Sequence, residues 1–193
     1  MIDWLKQIDY NLLFLINGAN NHLLDVIMIW ISSIGIWVPL YILLLYFVVI
    51  KYKSKAWIAI PVFILAIGLS DLISVHLFKN VFERLRPCYE PELEGLIKNI
   101  VGCGGKFSFV SSHASNSFTI AFMSIFLMGD RHKWLKWLMP LWGLSIMYSR
   151  VYLGKHYPSD VIAGALLGIL VSWLMYMLFT YILDYFSTKS IKI

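Results

Sequence analysis

Long apolar segments separated by short polar stretches make up most of the chain. A membrane-spanning helix needs about 20 mostly apolar residues, and this pattern predicts an all-α, polytopic transmembrane helix bundle of five to six spans. The sixth span is undecided because the stretch 23–34 is short and ends in SSIG. The remaining five segments lie at about 36–50 with its flanks, 56–78, 114–129, 138–152 and 161–183.

The N-terminal segment has a different pattern, in which apolar residues recur at helical spacing between polar ones. This pattern predicts an N-terminal helix that lies in the membrane interface, although a first span too polar to be recognised is an alternative. The segment lacks the small-residue cleavage pattern of a removable signal peptide. Its apolar positions are Ile2, Leu5, Ile8, Leu12 and Leu15.

The composition also indicates a membrane protein. Of the 193 residues, 60% are hydrophobic and 14% are charged, whereas soluble domains are about half apolar and about a quarter charged. The net charge of +5 does not indicate a nucleic-acid partner, because the basic residues lie at the ends of apolar segments and not on one polar face. We see no domain boundary or internal repeat, so we expect residues 1–193 to form a single transmembrane domain. Nothing in the sequence implies an oligomer.

Three basic clusters predict the orientation in the bilayer. All three fall on one side when the spans alternate, and the positive-inside rule makes that side cytoplasmic. The loops at about 80–113 and 149–160, which hold most of the other polar residues of interest, then share the opposite side. The clusters are residues 51–55, residues 130–136, and the tail with Lys189 and Lys192.

The first polar group in these loops is KNVFERLRP, from Lys79 to Pro87. Lys79 and Arg86 are seven residues apart, so on one helix they would share a face and could reach the same anion. Pro87 disfavours helical geometry at the residue before it and should end that helix. The alternative is a pair of basic side chains that snorkel at the end of a span.

The second group follows a glycine-rich approach. Ser111 and Ser112 stand where we expect the next helix to begin, and a serine at that position caps free amides. A helix start also attracts phosphate, and His113 would lie in the first turn, directed at the bound anion. The alternative is a plain serine cap with an incidental histidine.

The third group is SRVYLGKHYPSD, in which Arg150 ends one span and Pro158 suits the first turn of the next helix. His156 would then lie just outside that helix and Asp160 just inside it. A carboxylate in this position can accept a hydrogen bond from one ring N–H, which fixes the tautomer and leaves the other nitrogen free to attack. The alternative is a structural His–Asp cap.

Together these groups place three cations, a helix start and two histidines on one face. That combination suits a phosphate dianion and its transition state. No Cys/His or multi-carboxylate arrangement in the sequence has metal-ligand spacing. We therefore expect phosphoryl transfer that uses no metal or other cofactor.

The three groups resemble the signatures of the type 2 phosphatidic acid phosphatase superfamily, K-x6-RP, PSGH and SR-x5-H-x3-D, over roughly residues 70–170. The first and third signatures are intact. The second is VSSH here, with Val110 in place of proline and Ser112 in place of glycine. If this backbone needs a positive φ, serine tolerates it less easily than glycine, although the extra hydroxyl could donate a hydrogen bond to the phosphate.

The resemblance implies a role for each residue. His156 would be the nucleophile that forms a phosphohistidine, and Asp160 would orient and charge it. His113 would be the general acid that protonates the leaving group and later the base that activates water. The soluble vanadate-dependent haloperoxidases of the superfamily are excluded by the spans of this chain. Phosphate would be held by main-chain amides and by Lys79, Arg86, Ser111, Ser112 and Arg150.

The resemblance also implies a substrate class and a location. Members act on phosphatidate, phosphatidylglycerol phosphate, lipid A or undecaprenyl pyrophosphate, and we slightly favour undecaprenyl pyrophosphate. The expected location is the bacterial cytoplasmic (inner) membrane, as a multi-pass protein with its active site facing the periplasm or the outside. A lipid-to-lipid phosphotransferase of the same fold and a non-catalytic lipid-binding or transport protein are the alternatives.

Three further features accompany these groups. Cys88 and Cys103 lie in the same outer loop, where an oxidising compartment permits a disulfide, with two free thiols as the alternative. Asp71 is an intramembrane carboxylate, which is costly and often functional, and we expect it to be a structural partner of a nearby group. Gly164 and Gly168 offer a small-residue surface for close helix packing within the bundle.

Overall fold

The computed structural model describes residues 3–190, which are mostly helical apart from a long loop at about 83–111. Within this range an isolated bridge between Leu85 and Phe107 is the only β pairing. The all-helical architecture that the apolar pattern predicts is therefore confirmed. The helices are α1 (Asp3–Gly18), α2 (His22–Ser32), α3 (Val38–Tyr52), α4 (Ala56–Ile73), α5 (Asn80–Phe82), α6 (Ser112–Met128), α7 (Leu135–Tyr152) and α8 (Pro158–Ser190).

Helix α6 lies at the centre of the bundle, against α4, α7 and α8. Its packing against α8 is close because α8 presents glycines at the contact. A Cβ atom added to Gly164 would lie 2.6 Å from the carbonyl oxygen of Ser111, so a larger residue would push the two helices apart. Gly168 makes the next contact along α8, with α6 residues one turn further on. The glycines thus serve packing within the bundle, as we expected.

One end of the bundle collects basic residues. Lys51 Nζ donates a hydrogen bond to the Leu127 carbonyl oxygen at 2.6 Å and contacts the Asp130 carboxylate. Lys55 Nζ lies 3.4 Å from Ser187 Oγ near the end of α8. The basic clusters 51–55 and 130–136 therefore share one end, as predicted. Lys192 lies outside the described residues.

The predicted five to six spans are not confirmed. Within residues 3–190, two helical segments are long and apolar enough to cross a membrane, Gly35–Phe82 and Pro158–Thr188. A third results if Trp4–Gly18 and His22–Ser32, which meet at 114°, count as one broken span. Several of the predicted spans are short helices. For example, α6 has 17 residues, about 25 Å at 1.5 Å per residue, against a hydrocarbon core of about 30 Å.

Helix α1 has one exposed apolar side and one buried side. Leu5, Ile8, Leu12 and Leu15 are exposed, whereas Leu13 is fully buried against the bundle. This arrangement agrees with the amphipathic pattern in the sequence, although Ile2 lies outside the described residues. The interfacial position of α1 in a bilayer stays a prediction.

Candidate active site

Lys79 lies at the end of a short π-helical segment, Ser74–Lys79, that joins α4 to α5. Such segments are rare in proteins overall, and those that occur often lie at functional sites. Lys79 Nζ donates a hydrogen bond to Ser112 Oγ at 2.7 Å, and Ser74 Oγ lies 2.7 Å from the same oxygen. The first and second sequence groups therefore meet at the Ser112 hydroxyl.

Arg86 is positioned differently from our expectation. The predicted single helix through Lys79 and Arg86 is wrong, because the helix ends at Phe82, Glu83 is left-handed with φ of 45°, and Arg86 is extended. The guanidinium of Arg86 is fixed instead by a loop: Nη1 donates to the Cys103 carbonyl oxygen at 3.0 Å and Nε to that of Phe107 at 3.2 Å. A loop contact, and not helical periodicity, orients this cation.

The same loop contains the two cysteines. The structure pairs Cys88 with Cys103 in a disulfide whose Cα atoms are 5.9 Å apart. Cys88 follows Arg86 by two residues, and the Cys103 carbonyl oxygen accepts a hydrogen bond from Arg86. The disulfide therefore ties together both sides of the segment that holds this guanidinium.

Ser111 is the N-cap of α6, as predicted, and its hydroxyl accepts a hydrogen bond from the Ala114 amide. The Ser111 amide donates to the Asp160 carbonyl oxygen at 3.0 Å, which joins the second and third sequence groups. Ser112 is the first residue of α6 and His113 the second. Within residues 3–190 the only non-glycine residues with positive φ are Lys53 and Glu83, so serine in place of the family glycine causes no backbone strain at position 112.

The third group surrounds the turn between α7 and α8. Arg150 lies in the last turn of α7, Pro158 begins α8, and His156 lies between the two helices, as predicted. Gly154 allows the turn, since its φ is +70°. The side chains of His156 and Asp160 are 1% and 0% exposed. An imidazole and a carboxylate are thus buried together at one end of the bundle.

The predicted hydrogen bond between His156 and Asp160 is not formed. Nδ1 of His156 lies 3.6 Å from Asp160 Oδ2, which is too long for a hydrogen bond. Asp160 instead accepts from the Tyr157 amide at 2.9 Å and from Arg84 Nη1 at 2.8 Å. The carboxylate is held mainly by groups other than the histidine that it faces.

Arg84 is the residue that sequence reasoning missed. Besides Asp160, its guanidinium donates to Asp9 Oδ2 at 2.7 Å and to Ser159 Oγ at 2.7 Å. It also lies 3.8 Å from the ring centre of Tyr157. The signal was its place in ERLRP, two residues before Arg86, but nothing local in the sequence identifies its partners on α1 and α8.

Arg150 is almost fully buried, with 6% exposure. Its Nη1 donates a hydrogen bond to Ser32 Oγ at the end of α2. Its Nε has no hydrogen-bond partner among the described residues. An unpaired buried donor is costly, so this guanidinium is suited to an anion that would complete its bonding.

Residues from all three sequence groups determine the electrostatic environment of His156. Burial lowers the pKa of His156 well below its usual value, and the charges of Arg150, Arg86 and Lys79 lower the pKa further. An imidazole in this setting is neutral and keeps a lone pair, which a nucleophile requires. The same three cations and His156 also act electrostatically on His113. The predicted site residues therefore converge on one region.

A cavity of about 410 Å³ opens beside this region. Ser112 and His113 line one part of it, and apolar side chains of α2, α3, α4, α6 and α7 form most of the remaining wall. Apart from His113 and the serines, the strongly polar residues of the lining are Asp71 and Asn116. The cavity joins the cationic region to an apolar space within the bundle.

Buried cations around two imidazoles, next to an apolar cavity at the end of a helix bundle, are typical of a membrane enzyme that handles phosphate groups. The chain belongs to the PAP2 superfamily, whose family model matches residues 57–184. The resemblance based on the three sequence groups is thereby confirmed.

Relatives and a solved structure agree with this family. The chain is 36% identical over 181 residues to a lipid A 4'-phosphatase of Bacteroides thetaiotaomicron, with 92% of this chain and 80% of the relative covered. It is 30% identical over 184 residues to an undecaprenyl-diphosphatase of Sulfolobus acidocaldarius, with 91% and 75% covered.

The fold is similar to the crystal structure of a transmembrane PAP2-type phosphatidylglycerolphosphate phosphatase from Bacillus subtilis. The TM-score is 0.68 at 22% sequence identity, with 89% of this chain and 84% of that chain covered. At this identity the likeness concerns the fold alone, and it extends over most of both chains.

Proposed function

We propose that this membrane lipid phosphatase cleaves its substrate through a covalent phosphohistidine on His156. The observation that carries the proposal is the buried imidazole of His156, whose pKa is lowered by burial and by the three cations Arg150, Arg86 and Lys79. Such a site offers a neutral nucleophile to a phosphate that is held by fixed positive charges.

In the first step, the imidazole nitrogen of His156 attacks phosphorus. Nδ1 faces Asp160, so Nε2 is the attacking atom. The N–P bond forms as the bond from phosphorus to the leaving oxygen breaks, and protonated His113 donates its proton to that oxygen and becomes neutral. Lys79, Arg86 and Arg150 stabilise the negative charge that is spread over the phosphoryl oxygens.

In the second step, His113 accepts a proton from water as the water oxygen attacks phosphorus. The N–P bond breaks, inorganic phosphate leaves, and His156 is neutral again. The Ser112 hydroxyl, which contacts Lys79 Nζ at 2.7 Å, is placed to donate to a phosphate oxygen together with the amides at the start of α6. Serine thus adds a donor where the family has glycine.

The substrate that we favour is a glycolipid phosphomonoester such as lipid A. The support is the 36% identity to a lipid A 4'-phosphatase over most of both chains, which outweighs our slight sequence-based preference for undecaprenyl pyrophosphate. Undecaprenyl pyrophosphate is the second candidate, because the chain is 30% identical to an undecaprenyl-diphosphatase. The apolar cavity beside His113 suits the lipid part of either substrate.

We also propose that the active site faces the periplasm or the outside, because the basic clusters lie at the opposite end of the bundle. Residues 1–193 would act as a single domain, because Asp9 of α1 contacts Arg84 and Ser159 beside the catalytic pair.

The experiment is phosphate release in detergent from lipid A, phosphatidylglycerol phosphate, phosphatidate and undecaprenyl pyrophosphate. We expect release from at least one lipid by the wild type and by the control His132→Ala at the other end of the bundle, and none by His156→Ala. Activity should persist in a chelator. Loss of activity in the chelator that added magnesium restores, or full turnover by His156→Ala, would contradict the proposal. Transfer of phosphate to an added acceptor lipid, in place of its release, would indicate a phosphotransferase.

A further inference from the structure

The mechanism leaves one polar pair in the cavity unexplained. Asp71, in the last turn of α4, accepts a hydrogen bond on Oδ1 from Asn116 Nδ2 at 3.2 Å. The other polar atom of that amide, Asn116 Oδ1, is buried and has no hydrogen-bond partner among the described residues. Both side chains line the cavity that also contains His113 and Ser112. The Asp71 carboxylate, which is exposed and lines the cavity, therefore offers an acceptor to whatever occupies this space, and Asn116 holds it in place.

The position of the pair relative to His113 identifies which part of a substrate it meets. Asn116 follows His113 by three residues on α6, so the two side chains lie on the same helix face about one turn apart, roughly 5 Å. His113 protonates the leaving oxygen in the proposed mechanism. The atoms just beyond that oxygen, at the start of the leaving group, would lie beside Asp71 and Asn116.

The charges around the pair favour some leaving groups over others. Asp71 is the only acidic residue in the described lining of the cavity, and that lining contains no lysine or arginine. Lys79, Arg86 and Arg150 bind the transferred phosphate in the proposed mechanism. A leaving group that itself carries a phosphate would place negative charge near the Asp71 carboxylate. Lys79 acts electrostatically on Asp71, but its Nζ is held at Ser112 Oγ and at the transferred phosphate, so it would offset that charge only in part. A sugar would instead donate hydroxyl or amide N–H groups to the Asp71 carboxylate.

We propose that Asp71 and Asn116 form a leaving-group subsite that binds the hydroxyl or amide N–H groups of a glycolipid and disfavours lipid diphosphates. This proposal rests on the proposed function, since it assigns a specificity to the same active site. It gives a role to a carboxylate that lies within the candidate span Gly35–Phe82, where ionisable residues are rare and often functional.

The test is kcat/KM for lipid A that carries a 4'-phosphate and for undecaprenyl diphosphate, measured in the same detergent. The wild type should favour lipid A by at least about 10-fold. Asp71→Asn removes the charge and should raise the diphosphate-to-lipid A ratio of kcat/KM by about 10-fold. Asp71→Ala also removes the acceptor and should lower kcat/KM for lipid A by about 10-fold. The matched control Asp184→Asn, near the opposite end of α8, should leave the ratio unchanged.

The two levels of the proposal fail in different ways. The subsite would be overturned, and the phosphatase left intact, if the wild type had equal kcat/KM values for both lipids. The same conclusion would follow if Asp71→Asn and Asp71→Ala kept the diphosphate-to-lipid A ratio of kcat/KM within twofold of the wild-type ratio. A wild type that cleaves neither these two lipids nor phosphatidylglycerol phosphate nor phosphatidate would overturn the proposed function itself. The wild-type comparison decides the question even if both Asp71 variants fail to fold.

Discussion

Replacement of Arg84 tests whether the buried network behind His156 is required. In Arg84→Met a side chain of similar length loses its charge. Asp160 and Asp9, whose side chains are 0% and 5% exposed, would then be buried without their cation. Both carboxylates accept hydrogen bonds from Arg84 at 2.7 to 2.8 Å, so the loss affects two buried ion pairs at once.

The expected cost follows from this geometry. Removal of one partner from a buried ion pair typically destabilises by about 3–5 kcal/mol. The Arg84 side chain is 14% exposed, so solvent screens these pairs little. We expect Arg84→Met to lower the free energy of unfolding by about 4 kcal/mol. Phosphatase activity should fall as well, because Asp160 would lose a group that fixes it beside His156.

The assay is reversible denaturation in detergent, combined with lipid phosphate hydrolysis at a temperature where each variant is folded. Arg84→Lys keeps the charge but cannot bridge Asp9 and Asp160 with separate nitrogens, so it should recover part of the stability and little of the activity. The control Arg131→Met, at an exposed position at the other end of the bundle, should change stability by less than about 0.5 kcal/mol. Wild-type stability and activity in Arg84→Met would refute the reasoning.

Three further outcomes are expected. His113→Ala should slow phosphate release by about 10²–10⁴-fold, as measured in single-turnover kinetics, and an unchanged rate would remove its acid–base role. The pKa of His156 in the folded protein lies below the usual 6.5, so the unfolded chain takes up its proton first as pH falls, and the free energy of unfolding should decrease below about pH 6.5. Denaturation at several pH values should show a smaller decrease for His156→Asn, and an equal decrease in the variant and the wild type would contradict the lowered pKa. The double variant Cys88→Ser/Cys103→Ser should bind phosphate more weakly, because the segment that holds Arg86 would be less rigid. The disulfide itself is checked by alkylating the wild type with and without reductant, and identical gel migration of the two samples would count against it.

The sequence predicted the parts of the site that depend on local signals. A serine before an apolar run marked the N-cap at Ser111, and a proline after a polar turn marked the start of α8 at Pro158. These signals also placed His113, His156 and Asp160 correctly relative to the helix ends. Each depends on the few residues around a terminus, where capping preferences are strong.

The sequence could not predict the parts that depend on distant contacts. The helix was expected to continue to Arg86, but Glu83 is left-handed without being glycine, and tertiary contacts of the following loop override the local pattern. Arg84 and Asp9 are 75 residues apart along the chain, and Arg150 and Ser32 are 118 apart. Pairings at such separations leave no periodic signal in one sequence.

The most direct test of the account is capture of the covalent intermediate. Enzyme mixed with radiolabelled lipid phosphate and quenched within one turnover should carry an alkali-stable, acid-labile phosphoryl group, which peptide mapping should place on His156 and which His156→Ala should lack. Label on another residue, or full wild-type turnover by His156→Ala, would contradict the claim that a buried imidazole among three cations performs the chemistry.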